Sequence, residues 1–196
     1  MKNLKRLSVA LCLAAALASP SLAATSQWTI DPTHSSAQFT VIHLELSDVD
    51  GKFTKLSGTA TIDDDDLSKS SVSAAIDVSS LDTGISMRDD DLKSSNFFNV
   101  AAYPTMTFQS TKISKTGDGA AKMTGNLTLH GVTKEVTFDV KDPAPQADPA
   151  GARRSVEATA TISRKAFGVN ADSAMIGDDV SITLDVQLVK AANAAH

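Results

Sequence analysis

From residue 37 to residue 188 apolar side chains recur at every second position, and that period of two restricts most of the chain to β-structure. Ala37, Phe39 and Val41 form the first run, and Leu56, Gly58, Ala60 and Ile62 the second. Val72, Ala74, Ile76 and Val78 follow, then the shorter pair Met106 and Phe108. Ala121, Met123, Gly125, Leu127 and Leu129 continue the pattern, as do Val136, Phe138 and Val140. Val156, Ala158, Ala160 and Ile162 precede a last run of Val180, Ile182, Leu184, Val186 and Leu188. These runs predict about eight strands, each with one apolar and one polar face. Turn chemistry separates them at Asp50-Gly51, Asp63–Asp66, Gly117–Gly119, His130-Gly131 and Gly177–Asp179.

An even set of one-sided antiparallel strands must bury its apolar face, either as a sandwich or as a closed barrel. A membrane barrel would show the same alternation with the faces reversed, but it would carry aromatic girdles at both interfaces. Trp28 and Tyr103 are single here, the seven Phe residues do not bracket the strands, and the chain ends in Ala-Ala-Asn-Ala-Ala-His. The expectation is therefore an all-β barrel, not membrane-spanning, with an apolar interior.

One segment interrupts the alternation. Ser86, with Asp89 three residues on, has the spacing of a capped helix start, and Asp89, Asp90 and Asp91 suit the positive end of a helix dipole. Met87, Leu92 and Ser95 would share the face laid against the sheet, and Pro104 would end the following loop. This places one short helix after the third or fourth strand. The stretch 142–151, Asp-Pro-Ala-Pro-Gln-Ala-Asp-Pro-Ala-Gly, resembles a linker. The residues after it hold two strong strands, too few for a core of their own, so it reads as a loop within a single domain.

Residues 1–23 read as an export signal. Lys2, Lys5 and Arg6 precede an apolar run from Leu7 to Ala18, too short to span a bilayer, and Ser21-Leu22-Ala23 supplies small residues for cleavage. The domain is then 24–196, and its expected location is the periplasm. The formal charge of −5 becomes more acidic once those three cations are lost, which speaks against nucleic acid as a partner. Cleavage would also remove Cys12, the single thiol. A cysteine-free domain suits an oxidising compartment. It also has no thiol for catalysis.

No Gly-x-Ser-x-Gly elbow, phosphate loop or dinucleotide fingerprint occurs. His34 follows Asp31-Pro32-Thr33 and reads as closing a turn, His130 sits in a tight hairpin where a structural hydrogen bond is expected, and His196 is terminal. His43 and Glu45, two apart, could share a strand face but make a weak metal site alone. The carboxylates cluster at turns. The reading is a non-enzymatic binding protein without metal or cofactor. Two alternatives remain: a metal-dependent hydrolase using His34, His43 or His130, and a packed barrel serving as a protein-interaction module. A second copy of the chain stays open as a partner.

Five segments in order are similar to the YceI-like family of exported lipid-binding proteins. They are Trp28–Phe39, Arg88–Pro104, Gly125–Lys134, Arg164–Gly168 and Ile176–Val180. The resemblance implies a lipocalin-like antiparallel barrel with a helix beside it and an elongated pocket for a polyisoprenoid, an isoprenoid quinone or a fatty amide. Asp91 departs from the family's usual His, so no headgroup role is carried to that position. Combined with the alternation, this makes Phe39, Val41, Ile62, Ile76, Met106, Phe108, Leu127 and Phe138 candidate lumen residues, with Leu92, Phe97 and Phe98 as a lid.

Overall fold

The structure, a computed structural model, describes residues 25–141, 152–172 and 174–191. The expected leader, the Pro-rich stretch 142–151 and His196 lie outside the described residues. Eleven strand segments form one antiparallel sheet: β1 (Ser26–Ile30), β2 (Ser36–His43), β3 (Ser47–Phe53), β4 (Leu56–Ile62), β5 (Ser71–Asp77), β6 (Leu81–Asp82), β7 (Thr105–Gly117), β8 (Ala120–Leu129), β9 (Val132–Lys141), β10 (Arg153–Ser163) and β11 (Ile176–Lys190). One helix, α1 (Ser86–Lys93), lies between β6 and β7.

The segments combine into eight staves. β1 and β2 lie end to end along β11, with Ile30 opposite Leu188 and Ala37 opposite Leu184. β4 pairs with β1 while β3 pairs with β2, and β5 pairs with β4 while β6 pairs with β3. The first three staves are thus each broken once, and the helix follows the third. β1 bonds to both β4 and β11, which closes an eight-stranded barrel, as lipocalin-like architecture requires.

Carboxylates in tight turns account for two of the breaks. Asp31 accepts hydrogen bonds from the Thr33 backbone N–H at 2.9 Å and the Thr33 hydroxyl at 2.6 Å, and Pro32 has no N–H to continue the ladder. Asp77 accepts from the Ser79 N–H at 2.9 Å and turns β5 into a single 3-10 turn before β6. At the β4–β5 connection the buried Asp63 accepts from the N–H groups of Asp65 and Asp66. These acids shape the backbone.

Four local expectations are corrected. Gly177–Asp179, expected as a turn, lie within β11, where the pairing with β2 shifts register between Ile176 and Val180. Asp50-Gly51 is not a turn: both residues lie within β3, where a Cβ on Gly51 would fall 2.2 Å from the Phe39 ring. Glycine is there to admit that ring. The chain reverses instead at Leu44 and Glu45, both at positive φ (55° and 57°), without the residues that usually signal such a turn. The helix start is also different. Its cap is Ile85, with no side-chain capping bond, and Asp89 reaches back to the Thr83 N–H at 2.8 Å and hydroxyl at 2.6 Å. Met87 is 82% exposed, so Leu92 alone of the expected face packs against the core.

Candidate functional site: an apolar lumen

The barrel encloses a cavity of about 540 Å³, within the range of small-molecule sites. Its two walls differ. On β7, β8 and β9 the inward residues Met106, Phe108, Ile113, Ala121, Met123, Leu129 and Phe138 are buried against one another. Phe108 meets Phe138 edge to face, with ring centroids 5.3 Å apart. On β10 and β11 the inward residues Val156, Ile162, Val180, Ile182, Leu184 and Val186 line the cavity and keep part of their surface accessible. Side chains that point inward yet stay accessible border empty space. The wall of β7–β9 is thus the more tightly packed, and that of β10 and β11, where only Ala158 and Leu188 of the inward residues are buried, is the more hollow.

Period two places these residues, with one phase change. β7 and β8 shift register between Ser110 and Lys112, so Thr111 is an extra residue. The bulge moves the inward face from the even positions Met106 and Phe108 to the odd Ile113.

All eleven candidate residues border this one cavity. Phe39 and Val41 project from β2, Ile62 from β4, Ile76 from β5, Met106 and Phe108 from β7, Leu127 from β8 and Phe138 from β9. Leu92 comes from α1, and Phe97 and Phe98 from the turn after it. Phe98 is tied to the barrel through Phe53, whose ring lies 5.8 Å from it and 5.7 Å from Phe39.

The mid-strand small residues divide into two groups. Ala60, Ala74 and Ala158 border the cavity, while Ala160 does not. Gly58 and Gly125 serve close approach. A Cβ on Gly58 would lie 2.4 Å from the Ser73 carbonyl oxygen, and one on Gly125 would lie 2.4 Å from the Gln109 carbonyl oxygen and 2.5 Å from the Phe108 ring.

The ionisable lining residues stand at the two ends. At one end Arg154 pairs with Asp64 at 2.8 Å and lies over the buried Trp28, its guanidinium 5.9 Å from the ring centroid. Trp28, Ala60 and Leu188 form a small core that closes this end. His43, Arg88, Asp91, Arg164 and Asp172 stand at the other, where Asp91 and Asp172 are exposed. That end is the mouth. The sequence reading missed this polar collar, because its members come from a strand tip, a helix and a loop that no single period links.

Arg164 is 6% exposed and donates to four backbone carbonyls, those of Val169, Ala171, Ile176 and Gly177, each at 2.8 Å. Burial works against its charge, while Asp178 and Asp172 favour it. Asp178 accepts from the Lys165 N–H and the Ser163 hydroxyl, which hold its carboxyl below the usual carboxylate range. Together they tie Val169, Ala171, Ile176 and Gly177 to the end of β10 at the rim. The Asp89 carboxyl is likewise held low: desolvation works upward, and the two Thr83 hydrogen bonds outweigh it.

The histidines do not converge. His34 is exposed on the barrel exterior, its Nδ1 2.9 Å from Asp31. His130, at φ 52°, packs its ring on Tyr103 at 4.6 Å, where a hydrogen bond was expected. His43 stands on the rim, and Glu45 turns away into the hairpin. Among the described residues no group of three or more His, Cys, Asp and Glu could hold a metal ion. No helix among them is long and apolar enough to cross a membrane.

A closed antiparallel barrel with an apolar lumen and a helix beside its mouth defines a lipocalin-like class of protein. Residues 28–188 match the model of the YceI-like domain. The chain belongs to the YceI-like family. It is 36% identical over 190 residues to a UPF0312 protein of Pseudomonas aeruginosa, covering 95% of this chain and 99% of that one. The crystal structure of Burkholderia cenocepacia BcnA superposes with a TM-score of 0.74 at 26% identity, covering 81% of this chain and 98% of that one. A polyisoprenoid-binding domain from Saccharophagus degradans shares the fold, with a TM-score of 0.62 at 17% identity over 84% of this chain and 98% of that one.

Proposed function

We propose that this protein is a periplasmic carrier that sequesters the hydrocarbon tail of a long-chain amphiphile in its lumen. The candidate ligands are a polyisoprenoid, an isoprenoid quinone and a fatty amide. The observation that carries this reading is the confinement of ionisable lining groups to the two ends of an otherwise mainly apolar cavity. Each methylene moved from water into such a space contributes roughly 0.8 kcal/mol before ordering costs. Affinity then comes from tail length, and the lumen selects by shape. Phe39, Ile76, Leu127 and the hollow wall of β11 hold the tail, and the collar around His43 and Arg88 faces the headgroup. The polyisoprenoid-binding relative in fold adds support for the ligand class.

The test is organic extraction of protein purified from its native compartment, followed by mass spectrometry. A carrier yields one dominant lipid class in near-stoichiometric amount. Lipid-free protein with a stoichiometric transition metal by elemental analysis would favour the hydrolase reading. The N-terminal sequence of the recovered protein tests export: a start at Ala24 is expected, and an intact Met1 form in the cytosol would contradict it.

A further inference from the structure

Six large hydrophobic residues are exposed on the described surface: Ile42 (51%), Leu44 (50%), Leu46 (87%), Ile85 (53%), Met87 (82%) and Met175 (45%). All six lie at the mouth. Ile42, Leu44 and Leu46 belong to the β2–β3 hairpin tip, and Leu44 donates its N–H to the Met175 carbonyl at 2.6 Å. β6 runs from Leu81, opposite Phe53, back toward that tip, and Ile85 and Met87 follow it. The closed end, around Trp28 and Arg154, exposes no comparable residue among those described.

We infer that this apolar rim seats the barrel on the surface of a zwitterionic lipid bilayer, with the mouth turned toward the lipid. Exposed apolar clusters of this kind mark docking sites. Two observations select the bilayer. The rim is continuous with the lumen wall: His43 and Ile176, which line the cavity, pair with each other beside the exposed Ile42, Leu44 and Met175. An insoluble tail then passes from bilayer to lumen without crossing water, a consequence that rests on the carrier reading above. The charged residues around the rim are mostly acidic, Glu45, Asp48, Asp89, Asp90, Asp91, Asp172 and Asp178 against Arg88, Lys93, Arg164 and Lys165. That balance disfavours a face-to-face second copy, which would oppose two acidic rims, and disfavours anionic lipid for the same reason. Zwitterionic headgroups carry no such penalty, and insertion is driven by Leu46 and Met87.

The experiment is flotation of the purified protein with phosphatidylcholine vesicles free of isoprenoid. The protein is expected to float with them, and less with phosphatidylglycerol vesicles at low salt. Leu46→Glu and Met87→Glu alter side chains more than four-fifths exposed, so folding is not at issue, and each should weaken binding about tenfold. Thr116→Glu, at the opposite end, adds the same charge and should leave binding unchanged. Wild-type protein that stays in solution overturns the inference. So does flotation that survives both rim substitutions, which would place the contact elsewhere, including the N-terminal apolar run. A dimer in sedimentation that Leu46→Glu dissociates, without vesicle binding, would make the rim a self-interface. Flotation by a protein that yields no lipid on extraction would leave docking standing and remove the carrier function.

Discussion

Phe108→Ala and Ile182→Ala, compared in lipid-free protein, test whether the barrel has one packed wall and one hollow wall. Both residues point inward and both line the cavity. Phe108 is 8% exposed, sits edge to face on Phe138, and fills the space above Gly125. Truncating it leaves a hole that the strands cannot collapse to fill. The expected cost is that of a packed aromatic, about 3–5 kcal/mol. For a domain of this size that lowers the thermal midpoint by roughly 6–20 °C, at about 2–4 °C per kcal/mol. Ile182 faces the open side and is only half-buried. Its truncation removes surface that already borders a void, so the cost is about 1 kcal/mol and a shift of roughly 2–4 °C. Thermal unfolding by circular dichroism reads both, and a urea titration with unchanged slope confirms that the native state is compact. Equal losses would mean that the lumen is filled in solution and that the hollow wall does not exist. Phe108 is scaffold as much as lining.

Other outcomes follow from named contacts. Gly125→Ala forces a Cβ against the Gln109 backbone oxygen, which cannot swing away, and should cost about 1–3 kcal/mol in the same unfolding assay. Asp178→Asn should lower the thermal midpoint near neutral pH. Because the native carboxyl titrates below its unfolded value of about 4, its stabilisation is present above that pH and is lost as pH falls through the lower folded value. The gap between variant and wild type should therefore close in acid. A gap that is constant down to pH 2 would show that the charge is not what holds the rim loop. Delipidation should lower the midpoint of wild-type protein, since ligand at a hundred times its Kd adds about 2.7 kcal/mol.

The alternation of apolar residues revealed both the barrel and its lining, because a half-buried strand writes its burial at every second position. β8, β9 and β10 follow the sequence runs closely, β11 begins four residues before its run and takes in the expected turn Gly177–Asp179, and all eleven residues drawn from the pattern and the family resemblance share one cavity. The failures are equally physical. Trp28 and Ile30 make too short an inward run to register as β1, and Gly51 in β3 mimics a turn because glycine serves ring packing as well as chain reversal. The true reversal at Leu44 and Glu45 carries no turn residue at all, since its tip is held from outside by Met175. The bulge at Thr111 breaks the period within β7, so Ile113 could not be assigned a face. The mouth was illegible for a different reason. His43, Arg88 and Asp172 meet only through closure of the sheet, which no local pattern encodes.

The central claim, that the lumen takes up a hydrocarbon tail, is tested most directly by affinity as a function of chain length. Straight-chain fatty amides of increasing length, kept below their aggregation limit, would displace a fluorescent isoprenoid analogue from delipidated protein. The lumen account predicts one site per chain. It also predicts affinity that rises by up to about fourfold per methylene and then levels off when the cavity of about 540 Å³ is full. Affinity that ignores chain length, or that climbs without a plateau and with several ligands per chain, would contradict it and place binding on the surface.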